Sequence, residues 1–396
     1  MVFAGRMKLS QRFRFLGPLI GLGLLCGPAA LTQGAATETR MLVYIGTYTG
    51  AKSKGIYVSR LDTTSGRLSP PELAAETKSP SFLAVHPNGS VLYSVGEMSE
   101  IGVNHAGTVN AFGIDQKTGR LTLISQQTSG GAGPCHLALD RTGKCVLLAN
   151  YGSGSIAALP IQADGKLSAP SAVIQHAGSS ADPQRQAGPH AHFIAADPAN
   201  QFALACDLGL DKVLVYRLDP AKGSLVANDP PFVSLKPGSG PRHLAFDPAG
   251  RFVYVINEIA STITAFAYDA RRGALRELQT ISTLSEKFHG DNSCAEVQIH
   301  PSGKFVYGSN RGHDSIAVFA VEPETGKLTC LEHQSTGGKT PRHFDIDPSG
   351  KWLLAENQAP GSIVIFRIDS KTGRLHPTGQ IVDVGAPVCV AFVALR

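Results

Sequence analysis

The chain is 396 residues long, with Lys+Arg 36 against Asp+Glu 31 and a formal charge of +5. Arg6, Lys8, Arg12 and Arg14 supply four of those cations in an acid-free start through residue 36, so the remainder carries +1. A charge that small gives no support for nucleic-acid or anionic-membrane binding, and neither is expected as a partner. The seven cysteines show no CxxC spacing, so no metal site is expected.

In chain order, the basic start gives way to an apolar run over residues 15–26, then to small residues through Ala35 and Ala36. That run is too short to span a bilayer. The pattern reads as a signal peptide over residues 1–36, giving an exported protein, periplasmic or secreted, with no integral membrane association after cleavage. Cleavage removes Cys26 and leaves six cysteines, most of them inside apolar runs, where they are expected as buried free thiols.

Strands are expected next at residues 41–47, 55–61 and 68–77. A segment then returns at intervals of roughly fifty residues, which marks one supersecondary unit per copy. It reads PSFLAVHPNGSVLYSVGE from Pro80, PCHLALDRTGKCVLLANY from Pro134 and AHFIAADPANQFALACDL from Ala191. It continues as PRHLAFDPAGRFVYVINE from Pro241, CAEVQIHPSGKFVYGSNR from Cys294 and PRHFDIDPSGKWLLAENQ from Pro341. Within each copy an apolar run, an Asp-Pro-x-Gly type of turn and a β-branched, aromatic run follow one another. In residues 241–282 the runs are 243–246, 252–256, 262–268 and 275–282. The period is two rather than 3.6, and no helical pattern is sustained after the leader.

Four short antiparallel strands per copy make a propeller blade. A seventh start, Pro387, is followed only by a lone strand over 388–393, while the N-terminus supplies three strands that lack a first. The expected fold is therefore all-β over residues 41–396. It is a seven-bladed β-propeller of four-stranded antiparallel blades, closed by the C-terminal strand joining the N-terminal blade.

The start of each first strand and the end of each second strand lie at the same end of their hairpin. These positions line one mouth of the ring, with the turns at the other. Strand starts contribute His136, His190, His192, Arg242, His243, Glu296, Arg342 and His343. Second-strand ends contribute Glu97, Asn150, Tyr151, Asp207, Asn257, Glu258, Asn310, Arg311, Asn357 and Gln358. The longest connections, 98–107, 175–188 and 284–293, fall on the same face, where function collects in repeat rings. Recurrent residues, such as the four asparagines and His136, His243 and His343, read as structural. Residues that break the repeat are the better functional candidates: Glu258, His192 in place of arginine, and Glu296 in place of histidine.

The segments GPRHLAFDPAGRFVYVINE, HPSGKFVYGSNRGHDSIAVF and PRHFDIDPSGKWLLAENQ resemble the seven-bladed propeller lactonase family. That family includes propeller-type bacterial 6-phosphogluconolactonase and fungal carboxy-cis,cis-muconate cyclase, and the likeness runs over residues 42–395. A histidine, two arginines and a glutamate are implicated at the mouth of the fungal enzyme. By position the resemblance implies Arg242, Glu258 and His190 or His192, with His192 preferred for its strand register. The second arginine is Arg311 or Arg342. The leader is a departure, because an exported member would not meet a cytosolic phosphogluconolactone.

The resemblance implies a lactonase acting on a sugar-acid lactone, as a monomer with no cofactor. The expected scheme has Glu258 as general base toward water and Arg242 stabilising the developing oxyanion. His192 returns a proton to the ring oxygen. Arg311 and Arg342 are expected to clamp a carboxylate or phosphate, with His190, Glu296 and His343 completing the substrate-binding set. The alternative is an exported, non-catalytic propeller that binds a small ligand or protein at the same mouth. A quinoprotein is disfavoured because Trp352 is the sole tryptophan.

Overall fold

The computed structural model describes residues 40–98 and 106–395. The signal peptide expected over residues 1–36 lies outside the described residues. Among those residues there is no α-helix, and seven antiparallel sheets are arranged as blades. Six of them are continuous in sequence, over residues 83–128, 134–175, 191–234, 241–282, 293–335 and 339–383, and have four strands each. The remaining blade combines Arg40–Thr47, Gly55–Asp62, Arg67–Leu68 and Glu72–Glu76 with Pro387–Ala394.

Closure follows the expected route. Pro387–Ala394 pairs antiparallel with Arg40–Thr47, in a register that sets Val43 opposite Phe392 and Ile45 opposite Val390. Each first strand packs on the first strand of the next blade, and the succession returns from Lys339–Ile346 to Pro387–Ala394. The first strands are therefore the innermost layer of a closed ring.

Burial explains the sequence pattern. The second strands are covered on both faces by neighbouring blades, so Phe252–Asn257 and Cys145–Asn150 are buried at every position. Such strands read as continuous apolar runs rather than alternating ones. The turn aspartates hold the hairpins. Asp347 accepts the N–H groups of Lys351 and Trp352 at 2.9 and 2.7 Å, and Asp140 does the same for Lys144 and Cys145 at 2.6 and 2.8 Å. The recurrent asparagines are structural: Asn150, Asn310 and Asn357 donate to the carbonyls of Ser129, Thr283 and Thr336 at 3.2, 2.9 and 3.2 Å. All six described cysteines are free, five of them buried and Cys330 exposed.

A second repeated contact joins blade to blade. The hydroxyls of Tyr44, Tyr93, Tyr254 and Tyr307 donate to the outer-turn carbonyls of Gly119, Gly165, Gly326 and Gly373 in the following blade, at 2.8–3.1 Å. Trp352 makes a fifth contact of this kind, from blade 339–383 to the N-terminal blade, by donating Nε1–H to Thr63 O at 2.9 Å. The two junctions of blade 191–234 use Ser171 Oγ on Gly223 O and Asn228 Nδ2 on Arg272 O, both at 2.7 Å. The turn must be glycine where an aromatic ring lies against it. At Gly326 φ is +69°, and a Cβ there would collide with the Phe252 ring.

Gly326→Ala is therefore expected to cost about 1–3 kcal/mol, through both the left-handed φ and the collision. Tyr254→Phe, which leaves the same carbonyl unpaired, should cost about 1 kcal/mol. Urea unfolding should show both as lowered midpoints at unchanged slope.

Candidate active site

The mouth residues reach the ring axis through a device repeated in the inner strands. In five of them the pairing register with the second strand skips one residue, leaving Cys135, His192, Arg242, Arg342 and Val388 without a partner. A sixth strand, Ser293–Ile299, carries a wider irregularity across Ala295 and Glu296. A bulge turns its extra side chain out of the ladder. Cys135, Arg242, Arg342 and Val388 all border one small space at the axis, together with Tyr48, Glu97 and His243.

Glu258 sits one residue past the buried end of Phe252–Asn257, with its N–H on Gly240 O at 2.7 Å. Its carboxylate is 8% exposed and meets three guanidinium groups. Oε2 lies 2.7 Å from Arg311 Nη2 and 3.1 Å from Arg242 Nε, the latter off the line of a hydrogen bond. Oε1 accepts from Arg185 Nη2 at 2.6 Å. Arg242 and Arg311 are held from behind by the carbonyls of Ala295 and Cys294, at 2.6 and 2.7 Å.

Burial by itself would raise the Glu258 pKa, but the charges of Arg311 and Arg242, with His192 and Arg185, hold it well below the usual carboxylate range. Burial, then repulsion from Arg342 and Arg311, lowers Arg242 to about 10, so it remains a cation at neutral pH. Burial and the adjacent Arg242 push His192 well below its ordinary value, so its imidazole is neutral.

Arg342 belongs to a neighbouring network. Its Nη2 donates to Tyr48 OH at 3.0 Å, Tyr48 donates to Glu97 at 2.9 Å, and Ser81 Oγ donates to the same carboxylate oxygen. His190 is engaged elsewhere: Nδ1 donates to Tyr151 O at 2.9 Å, and the ring stacks on Tyr151 at 4.5 Å.

Glu296 and His343 do not join the Glu258 cluster. The rings of Phe82, His136, Phe193, His243 and His343 crowd the axis, with Phe82–His136 at 4.3 Å and His136–Phe193 at 4.2 Å. Glu296 bonds His243 Nδ1 at 2.9 Å and Glu356 bonds His343 Nδ1 at 2.7 Å. Glu296, His343 and Asp345 line a cavity of about 760 Å³ with the turn-end residues Pro87, Asp140 and Arg141. Burial pushes the Glu296 and Glu356 carboxyls well above their ordinary values and lowers His343 to about 3. Burial also raises Asp345 to about 7.

Two contributors went unrecognised in the sequence. Arg185 lies in the 175–188 connection, whose length was the available signal. Tyr48 follows Arg40–Thr47 at the position Glu258 takes after Phe252–Asn257, a match hidden in the sequence because the first strand of that blade comes from the far end of the chain. Among the described residues, no group of three or more His, Cys, Asp or Glu is arranged to hold a metal ion.

The two carboxyl environments predict opposite pH responses. Glu258, depressed on folding, stabilises above its unfolded value near 4.5 and loses that contribution only as pH falls through its folded value. Glu258→Gln should therefore be less stable than wild type at pH 7 and still so near pH 5, the gap closing only in stronger acid. Asp345, raised on folding, destabilises increasingly from about pH 4 to its folded value of about 7. Asp345→Asn should gain Tm relative to wild type at pH 8 and lose the gain near pH 4, as calorimetry across pH will show.

Comparison with known proteins agrees with this fold. Residues 42–392 match the family described as "Lactonase, 7-bladed beta-propeller". The 6-phosphogluconolactonase of Bacillus subtilis is 38% identical over 306 residues, covering 77% of this chain and 85% of that protein. That of Formosa agariphila is 35% identical over 309 residues, covering 76% and 85%. The solved structure of the periplasmic gluconolactonase of Pseudomonas aeruginosa superposes with a TM-score of 0.85 at 35% identity, covering 90% of this chain and 100% of that one. With a match that runs through all seven blades, the chain belongs to the seven-bladed β-propeller lactonase family.

Proposed function

We propose that the protein hydrolyses a sugar-acid lactone at the Glu258 mouth, as a 6-phosphogluconolactonase-like enzyme. The observation that carries this reading is a single ionised carboxylate, held among Arg185, Arg242 and Arg311 beside a neutral histidine. Relatives that share the scaffold are named for lactone hydrolysis.

In this scheme water attacks the lactone carbonyl carbon while Glu258 takes its proton. A base so strongly held is weak, but it is ionised throughout the neutral and mildly acidic range. Arg242, desolvated and fixed by Ala295 O, faces the charge that develops on the carbonyl oxygen. The ring C–O bond then breaks, and the leaving alkoxide needs a proton. His192, kept neutral by burial and Arg242, carries no spare proton at pH 7. The acid role expected for it therefore passes to Glu258, which holds the proton taken from water, and His192 serves as a hydrogen-bonding group beside the reacting ester. The product is an open-chain hydroxy acid.

We also propose export, on the basic start and apolar run of residues 1–36, in keeping with a solved relative described as periplasmic. N-terminal sequencing of protein recovered outside the cytoplasm should begin close to residue 37. Recovery only of cytoplasmic protein starting at Met1 would reject export.

Purified protein should open δ-gluconolactone, 6-phosphogluconolactone or both above the spontaneous rate, as followed by acid release. Glu258→Gln should lower kcat by about 10²–10⁴-fold. Arg242→Gln should lower it by about 10²–10³-fold. Undiminished turnover in Glu258→Gln would remove Glu258 as the base.

A further inference from the structure

The three guanidiniums on Glu258 are not equivalent. Arg242 is 3% and Arg311 13% exposed, and each also bonds a backbone carbonyl. Arg185 is 42% exposed, and its Nη2 reaches Glu258 Oε1 at 2.6 Å and Tyr151 OH at 3.5 Å. It is the cation on the solvent side of the carboxylate.

The connection that carries Arg185 is fastened from beneath. His176 Nδ1 lies 2.6 Å from Asp207 Oδ2, both groups buried, and Tyr216 OH meets His176 Nε2 at 3.0 Å. Ser180 Oγ donates to Asp211 at 2.6 Å, and Gln186 Nε2 donates to Leu208 O at 2.8 Å. A fixed backbone thus presents one exposed, planar fork of N–H donors over the carboxylate.

We propose that Arg185 reads an anionic substituent on the lactone, exchanging its ion pair with Glu258 for one with the incoming phosphate or carboxylate. Recognition is thereby coupled to partial release of the catalytic carboxylate. This inference rests on the lactonase reading above. Only the Arg185 half of this pair is open to solvent, so an incoming anion can reach its free N–H donors, while Glu258 keeps two more deeply buried cations when Arg185 moves. Removing Arg242 or Arg311 from Glu258 would strand a buried charge, so the clamp expected of Arg311 falls to Arg185. A guanidinium matches phosphate and carboxylate oxygens through paired N–H donors. After exchange Glu258 still faces Arg242, Arg311 and His192, with Arg342 further off and Tyr151 behind Arg185. It stays ionised but has one fewer stabilising cation, and so is a stronger base.

The test compares wild type, Arg185→Ala and Arg185→Lys on 6-phosphogluconolactone and δ-gluconolactone across pH, with calorimetric titration of inorganic phosphate. Arg185→Ala should reduce the preference in kcat/KM for the anionic over the neutral lactone by about 10–100-fold, mainly through KM. Its acid limb on the neutral lactone should move to higher pH, and phosphate should bind about tenfold or more weakly, with Arg185→Lys partly restoring it. An equal loss on both lactones would reduce Arg185 to a support for Glu258 and overturn the proposal. So would phosphate binding that is absent in wild type or indifferent to Arg185. Phosphate binding that depends on Arg185, with neither lactone opened by wild type, would keep the anion reading and reject the lactonase reading instead.

Discussion

A propeller blade has two apolar faces and cannot bury either one alone, so the structure depends on a closed circle of blades. The pairing of Pro387–Ala394 with Arg40–Thr47 supplies the closure. It joins the two ends of the described chain in one sheet and gives the terminal blade its innermost strand. The contacts from Tyr44 onward, ending with Trp352 on Thr63, reinforce five of the seven blade junctions at the outer turns. With the ring closed, the second strands are sealed from water on both faces.

That rigidity lets the ring hold charges that a looser fold would hydrate. The bulge in each of five inner strands moves one side chain out of the pairing pattern and toward the axis. At Arg242 the bulge brings a cation against Glu258, where Arg311 and Arg185 also arrive. Bringing these groups out of water is costly, and mutual attraction with the carbonyls of Ala295 and Cys294 offsets it. The neighbouring residue, His243, faces Glu296 instead. One step along a strand thus separates the ionised mouth from the interior.

The channel consequently keeps carboxyl groups in two states. Above the aromatic and imidazole layer, Glu258 is ionised because cations outweigh the penalty of burial. Around and below that layer, burial dominates at Glu296, Glu356 and Asp345, and their carboxyls take up protons more readily than in water. The same chemical group is held as an anion in one place and biased toward its protonated form in the other. Two similar groups pushed apart by their surroundings are a recurring feature of acid–base sites.

The repeat starting at Pro80 and ending at Pro387, with its Asp-Pro-x-Gly turns, was enough to specify blade number, strand order and closure. Strand period and turn chemistry are local properties that each segment carries by itself. The structural role of Asn150, Asn310 and Asn357 was legible for the same reason, and Glu258 stood out because the other copies, apart from Glu97 in the one from Pro80, put no acid at its position. Tertiary structure alone decided which candidates meet. It set Arg185, from an insertion with no repeat register, onto Glu258, and it left Glu296 and His343 with the buried acid–histidine pairs. It also decided that His192 is neutral, through burial and the charge of Arg242 one blade away. Convergence and ionisation depend on distances between segments far apart in the chain and on exclusion of water, and neither is written in a local pattern.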